Sequence, residues 1–168
     1  MRNRVWIPFV VAALSIGCSS LRDGSQALGP ERASAIDGEV RQFAATVAQD
    51  VTQEGPAAWR KHFANSSAFF MASEGRLQFA DSASAITGIQ ELTRVIKRIE
   101  LQWGDIRVDP LTPELAQMGA TWHEISQDAT GKRTEDSGYF TGIAELRNGH
   151  WQFRNAHWSV ASAGPVVR

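Results

Sequence analysis

Gly138-Tyr139-Phe140-Thr141-Gly142-Ile143-Ala144-Glu145-Leu146-Arg147-Asn148-Gly149-His150-Trp151-Gln152-Phe153-Arg154-Asn155-Ala156-His157-Trp158-Ser159 is the stretch that decides how this 168-residue chain folds. Alternation of residue type runs through it on both sides of a short break at Arg147-Asn148-Gly149, the pattern of two strands joined tightly enough to be antiparallel. The same period extends backward along the chain. Glu100–Val108, Leu115–Gln127, Arg133–Leu146 and His150–Ala161 read as four long strands, separated by Asp109-Pro110-Leu111-Thr112-Pro113, Asp128-Ala129-Thr130-Gly131 and the Asn-Gly turn. Short connections between consecutive strands predict an antiparallel meander.

Upstream of Glu100 the period is helical. Ile36, Val40, Phe43, Ala44, Val47 and Val51 recur three and four apart, predicting an amphipathic helix over 35–53 that stops before Gly55-Pro56. Pro56 opens a shorter helix through Phe63, with Trp59 and Phe63 on one face to pack it onto the core and Lys61 and His62 on a solvated face. Ser67–Met71 and Leu77–Phe79 flank a turn at Ser73-Glu74-Gly75-Arg76. Asp81 or Ser82 then caps a third helix carrying Ile86, Ile89, Leu92, Val95, Ile96 and Ile99. Gly88 inside it costs about 1 kcal/mol relative to alanine, which points to a close approach or a late helix start. Helices first and a long sheet after them give an α+β class with the helices on one face of the sheet.

The N-terminus carries a different message. Arg2 and Arg4 precede the apolar run Val5–Ala13, and Leu14-Ser15-Ile16-Gly17 leads to Cys18, the single cysteine. This is the layout of an export signal, too short for a span of about 20 residues. It resembles a bacterial lipoprotein signal, which implies lipidation of Cys18 and anchoring to the cell envelope, at the outer membrane where the host has one; the alternative is a secreted or periplasmic chain. Residues 1–17 are then signal, 18–34 a polar tether, 35–161 the domain and 162–168 a tail. Without Arg2 and Arg4, 15 basic and 18 acidic residues leave a formal charge of −3. A slightly acidic exported chain argues against nucleic-acid binding, and a lone cysteine excludes an internal disulfide or a cysteine-built metal site. No cofactor is expected, and scattered histidines give no metal motif.

The terminal segment Gly149–Ser159, with Trp151 before His157 and Ser159, and with Thr141 on the preceding strand, is similar to the closing strands of SnoaL-like domains in the NTF2-like superfamily. The resemblance spans about Ile36 to Ala161. It implies an NTF2-like cone: N-terminal helices packed in the concave face of a strongly bent antiparallel sheet, often around a pocket, and often paired as a homodimer through the outer face. Relatives often carry a second histidine two before the motif's own and an arginine two before the threonine. Here those positions are Asn155 and Tyr139, so the usual pair is missing.

Strand alternation assigns the interior. Trp151, Phe153, Asn155, His157 and Ser159 share one face; Tyr139, Thr141 and Ile143 share another; Ala116, Met118, Ala120, Trp122 and Glu124 form the apolar row of the strand before. With Trp103 these give a candidate ligand lining of Trp103, Trp122, Tyr139, Thr141, Trp151, Phe153, Asn155 and Ser159, an aromatic cavity with convergent polar groups. Its occupant would be a small apolar or amphipathic molecule, or a partner. His157 beside Glu124 is the candidate acid–base pair of a cofactor-independent isomerase, dehydratase or cyclase; otherwise His157 fixes the sheet end and Glu124 lies on the rim. A dimerising scaffold is the third reading. Catalysis requires that a carboxylate and His157 face one cavity within hydrogen-bond reach.

Overall fold

A computed structural model describes residues 28–161; Cys18, the signal, most of the expected tether and the tail 162–168 lie outside the described residues. Helix α1 is Pro30–Glu54, and all six residues of the apolar stripe are buried. It starts five residues ahead of the predicted boundary. Proline fits a first helical turn, whose N–H groups lack intrahelical partners anyway, and this turn is largely exposed, so it carries no apolar signal. A 3₁₀ turn at Pro56–Ala58 leads into α2, Trp59–His62, and Trp59 and Phe63 pack into the core as predicted.

Strands β1 (Phe70–Ser73) and β2 (Arg76–Phe79) form a hairpin ahead of α3, Ser82–Val95. Asp81 is the cap: its carboxylate accepts from the Ser84 N–H at 2.7 Å, while Ser84 Oγ accepts from the Asp81 N–H at 3.0 Å, a reciprocal capping box. Helix α3 ends four residues short of the predicted Ile99. Ile96 is already extended and opens β3, Ile96–Thr112, in which Ile99 and Leu101 are buried on alternate positions. Ile99 fits both periods, and pairing with Ser126 of the neighbouring strand claims it for the sheet.

Gly88 marks a close approach. A Cβ there would run into the Phe79 ring of β2. Gly88→Ala gains about 1 kcal/mol of helix propensity and incurs an overpacking cost of about 1–3 kcal/mol. We expect a net loss of roughly 1 kcal/mol, recovered when Phe79→Leu is added, as read by urea unfolding of both variants; a stabilised single variant would show that the ring yields freely.

Strands β4 (Leu115–Asp128), β5 (Arg133–Arg147) and β6 (His150–Val160) complete a six-stranded sheet in the order β2-β1-β6-β5-β4-β3. It is mixed rather than wholly antiparallel. The chain leaves α2 at the free edge of β6 and enters the sheet beside it, so β1 runs parallel to β6, from Phe70 opposite Asn155 to Ser73 opposite Trp158. Register breaks in β3, at Gly104–Arg107 and Pro110–Thr112, and in β6 opposite Ile143–Ala144 bend the sheet. The helices fill its concave side, where Phe153 lies 4.8 Å from Phe43 of α1 and 4.9 Å from Phe140 of β5 by ring centroids.

Candidate functional site

The bulge in β6 decides which side chains reach the interior. Ile143 stands opposite Asn155, and the next residue, Ala144, stands opposite Phe153, leaving Arg154 as an extra residue. Inward parity therefore changes. Trp151 and Phe153 point in before the bulge; Ala156 and Trp158 point in after it, and His157 is exposed on the outer face beside Thr141. Sequence alternation put Asn155, His157 and Ser159 inside, and the bulge turns all three away. Asn155 Oδ1 instead accepts from the Ile143 N–H at 3.0 Å, satisfying a donor at the irregularity, and Ser159 Oγ donates to the Tyr139 carbonyl at 3.0 Å.

On β5 the inward residues are Phe140, Gly142 and Ala144, so Tyr139, Thr141 and Ile143 face outward, with Tyr139 39 % exposed. The assignment of β4 stands: Ala116, Met118, Ala120 and Trp122 are buried, and Glu124 follows them on the same face. Trp151 leans toward α1, its Nε1 donating to Glu39 at 3.1 Å. Phe153 is wholly buried core. Trp103 stacks on Trp158 at 5.4 Å and meets Phe140 at 5.2 Å.

Trp158 is the side chain that alternation missed. It sits at the centre of the aromatic interior, 5.6 Å from Trp59, 5.4 Å from Trp122 and 4.9 Å from Phe140. A sequence signal for it exists. Phe153 and Trp158 are an odd number of positions apart, so both can face the core only if the strand carries a bulge between them. Gly138 belongs to the same arrangement: opposite Trp122, it lies where a Cβ would collide with the Ser159 carbonyl and press on the Trp122 ring.

Between α3, the β1–β2 hairpin and the inner face of the sheet lies an open cleft of about 710 Å³. Trp122, Trp158 and Val160 form its sheet wall, Ile89, Leu92 and Val95 its helix wall, and Trp59 and Phe63 its floor. Leu92, Val95 and Val160 remain 38 %, 60 % and 41 % exposed, apolar surface that an occupant would cover. Glu124 reaches into this cleft with Asp136 opposite it on β5. Burial pushes the Glu124 carboxyl up to about 7, and the charge of Asp136 adds to the effect.

His62, expected on a solvated face, is buried; its Nε2 lies 3.1 Å from Asp50 Oδ2 of α1, and burial holds the imidazole below its ordinary range against the pull of Asp50. It borders a second depression of about 1080 Å³. There Arg32 pairs with Glu39 and Lys61 with Glu54, so its rim charges are already engaged. His123 bonds Glu135 on the outer face at 2.8 Å. Among the described residues no three His, Cys, Asp or Glu side chains gather as a metal site.

No family model matches the chain, and neither does any curated protein. Solved structures do. A protein from Novosphingobium aromaticivorans provisionally named scytalone dehydratase superposes with a TM-score of 0.67 at 9 % identity, covering 82 % of this chain and 97 % of its own. A nuclear transport factor 2-like superfamily protein from Salmonella enterica gives 0.60 at 10 %, covering 82 % and 96 %. A hexachlorocyclohexane dehydrochlorinase, LinA type 2, gives 0.61 at 9 %, covering 83 % and 100 %. At such identities the likeness is one of architecture: an α+β domain with the NTF2-like fold.

Proposed function

We propose that this domain binds a small apolar or amphipathic molecule in the cleft beneath α3, and that it does so outside the cytoplasm, anchored through a lipidated Cys18. The observation that carries the binding reading is the cleft itself, open and walled by indoles and aliphatic side chains, several of them left exposed. The expected Glu124–His157 pair does not support catalysis, because the two residues lie on opposite faces of the sheet.

The test is a fluorescence titration of the purified protein with the neutral lipophilic probe N-phenyl-1-naphthylamine. Saturable binding is expected. Leu92→Gln with Val95→Gln should weaken it about tenfold, roughly 1.4 kcal/mol, a fraction of the burial value of two aliphatic side chains. Both positions are exposed enough to leave the fold intact, and His157→Ala should change nothing. Absence of saturable binding, or binding indifferent to the double variant, overturns the reading.

One observation favours a second reading. A partly buried carboxyl pushed up to about 7 on the wall of the cleft is suited to abstracting a proton, as elimination chemistry needs, and two of the structural neighbours are named for a dehydratase and a dehydrochlorinase. Glu124 would then act without a histidine. In that case Glu124→Gln would abolish turnover while leaving probe binding in place.

A further inference from the structure

We infer that the cleft selects amphipathic organic cations, holding an ammonium or amidinium group between Glu124 and Asp136 against the faces of Trp122 and Trp158, with the apolar tail laid along α3. The inference rests on the binding reading above and adds the chemical class of the ligand.

Charge in the cleft has one sign. The chain as a whole carries 17 basic and 18 acidic residues, yet every charged residue lining the cleft is acidic: Glu74, Glu91, Glu124 and Asp136. Glu91 is already held by Arg94, at 2.7 and 2.8 Å. Among the described residues Glu124 and Asp136 have no ion-pair partner, although they stand directly opposite each other on β4 and β5. Like charges placed across a strand pair are unfavourable. A fold that keeps such a pair on the wall of an apolar cleft, with no lysine or arginine among the described residues lining it, has left room for a cation from outside. Local violations of this kind are expected where function demands them.

The indoles supply the rest of the recognition. Trp122 and Trp59 both meet Trp158 edge to face, with interplanar angles of 75° and 87°, so the three indoles that line the cleft are turned in different directions. Tryptophan faces attract ammonium groups, more strongly as water is excluded. Trp122, 7 % exposed, forms part of the cleft wall two residues before Glu124 on the same inward row. The fold thus sets unpaired carboxylate acceptors next to an indole on this wall.

The test uses three probes with one ten-carbon tail: decyltrimethylammonium, 1-decanol and decanoate. Each displaces N-phenyl-1-naphthylamine from the purified protein at pH 8, below its aggregation concentration. The ammonium is expected to bind at least tenfold more tightly than the alcohol, and the carboxylate more weakly than either. Glu124→Gln and Asp136→Asn should each reduce the ammonium preference severalfold while leaving decanol affinity within about twofold. Equal affinities for ammonium and alcohol would overturn the charge inference and leave the apolar cleft standing. A preference that persists in both variants would also overturn it, because the selectivity would lie elsewhere on the surface. Failure of all three probes and of the fluorophore would instead remove the binding reading itself.

Discussion

Trp158→Ala is expected to destabilise the domain by about 3 kcal/mol, the lower end of the range for truncating a large aromatic residue because part of the ring borders the open cleft, and to abolish probe binding. Trp158 is the common neighbour of Trp59, Trp103, Trp122 and Phe140. Its removal leaves a void bordered by four rings fixed on three strands and a helix, and backbone-anchored rings close such a gap only in part. His157→Ala, one residue earlier on the same strand and exposed on the outer face, should change stability by no more than about 0.5 kcal/mol. Urea unfolding of the two variants under one condition gives the comparison. Similar losses for both, or a larger loss for His157, would mean that β6 runs without its bulge and that the outer and inner faces are exchanged.

The second large effect is a stability difference that depends on pH. Glu124 is pushed up to about 7 in the folded state from an ordinary value of 4.5. Between those values the unfolded chain has released a proton that the folded chain still holds. Stability therefore falls as pH rises through that window, and the loss is complete above about 7. A shift of this size corresponds to a ceiling of roughly 3 kcal/mol, and partial contact with solvent reduces the realistic figure to about 1–2 kcal/mol. Glutamine keeps the shape and cannot ionise. Glu124→Gln should thus match the natural protein in stability at pH 4.5 and exceed it by about 1–2 kcal/mol at pH 8, measured as urea midpoints at both pH values. An equal difference at the two pH values would show that the carboxyl is well solvated. A saturating organic cation should narrow the gap at pH 8, since it would stabilise the ionised carboxylate that the variant lacks.

Much of the architecture is legible in the sequence itself. The apolar stripe of α1 matched residue for residue, because one face of an isolated helix against a sheet leaves a clean period of 3.6. The β4 row from Ala116 to Glu124 is equally legible: its partners on both sides run in register from Thr121 to Gln127, and its inner residues up to Trp122 are apolar. Harder to read were the places where two periods fit the same residues. Val95, Ile96 and Ile99 satisfy a helical stripe, while Ile99, Leu101 and Trp103 satisfy a strand, and pairing with β4 settled the choice. The parallel union of β1 with β6 had no local signature, since nothing within four residues of Phe70 encodes a partner 85 positions away.

The site divides along the same line. Sequence alone determined the elements, their order, the aromatic wealth of the interior and the place of Trp122 and Glu124 on one inward row, because helix and strand periods are properties of neighbouring residues. Only the tertiary structure decided which side of β5 and β6 faces the helices. Tyr139, Thr141 and Ile143 are no more polar as a set than is common for an inner face, and their alternates Phe140, Gly142 and Ala144 are small apart from one ring. A period of two assigns faces only up to a flip, and a bulge reverses the assignment partway along a strand. The extra residue at Arg154 exists only in relation to the register with Ile143 and Ala144. That single slip exchanged His157 for Trp158 and turned an expected acid–base pair into an aromatic wall beside two carboxylates.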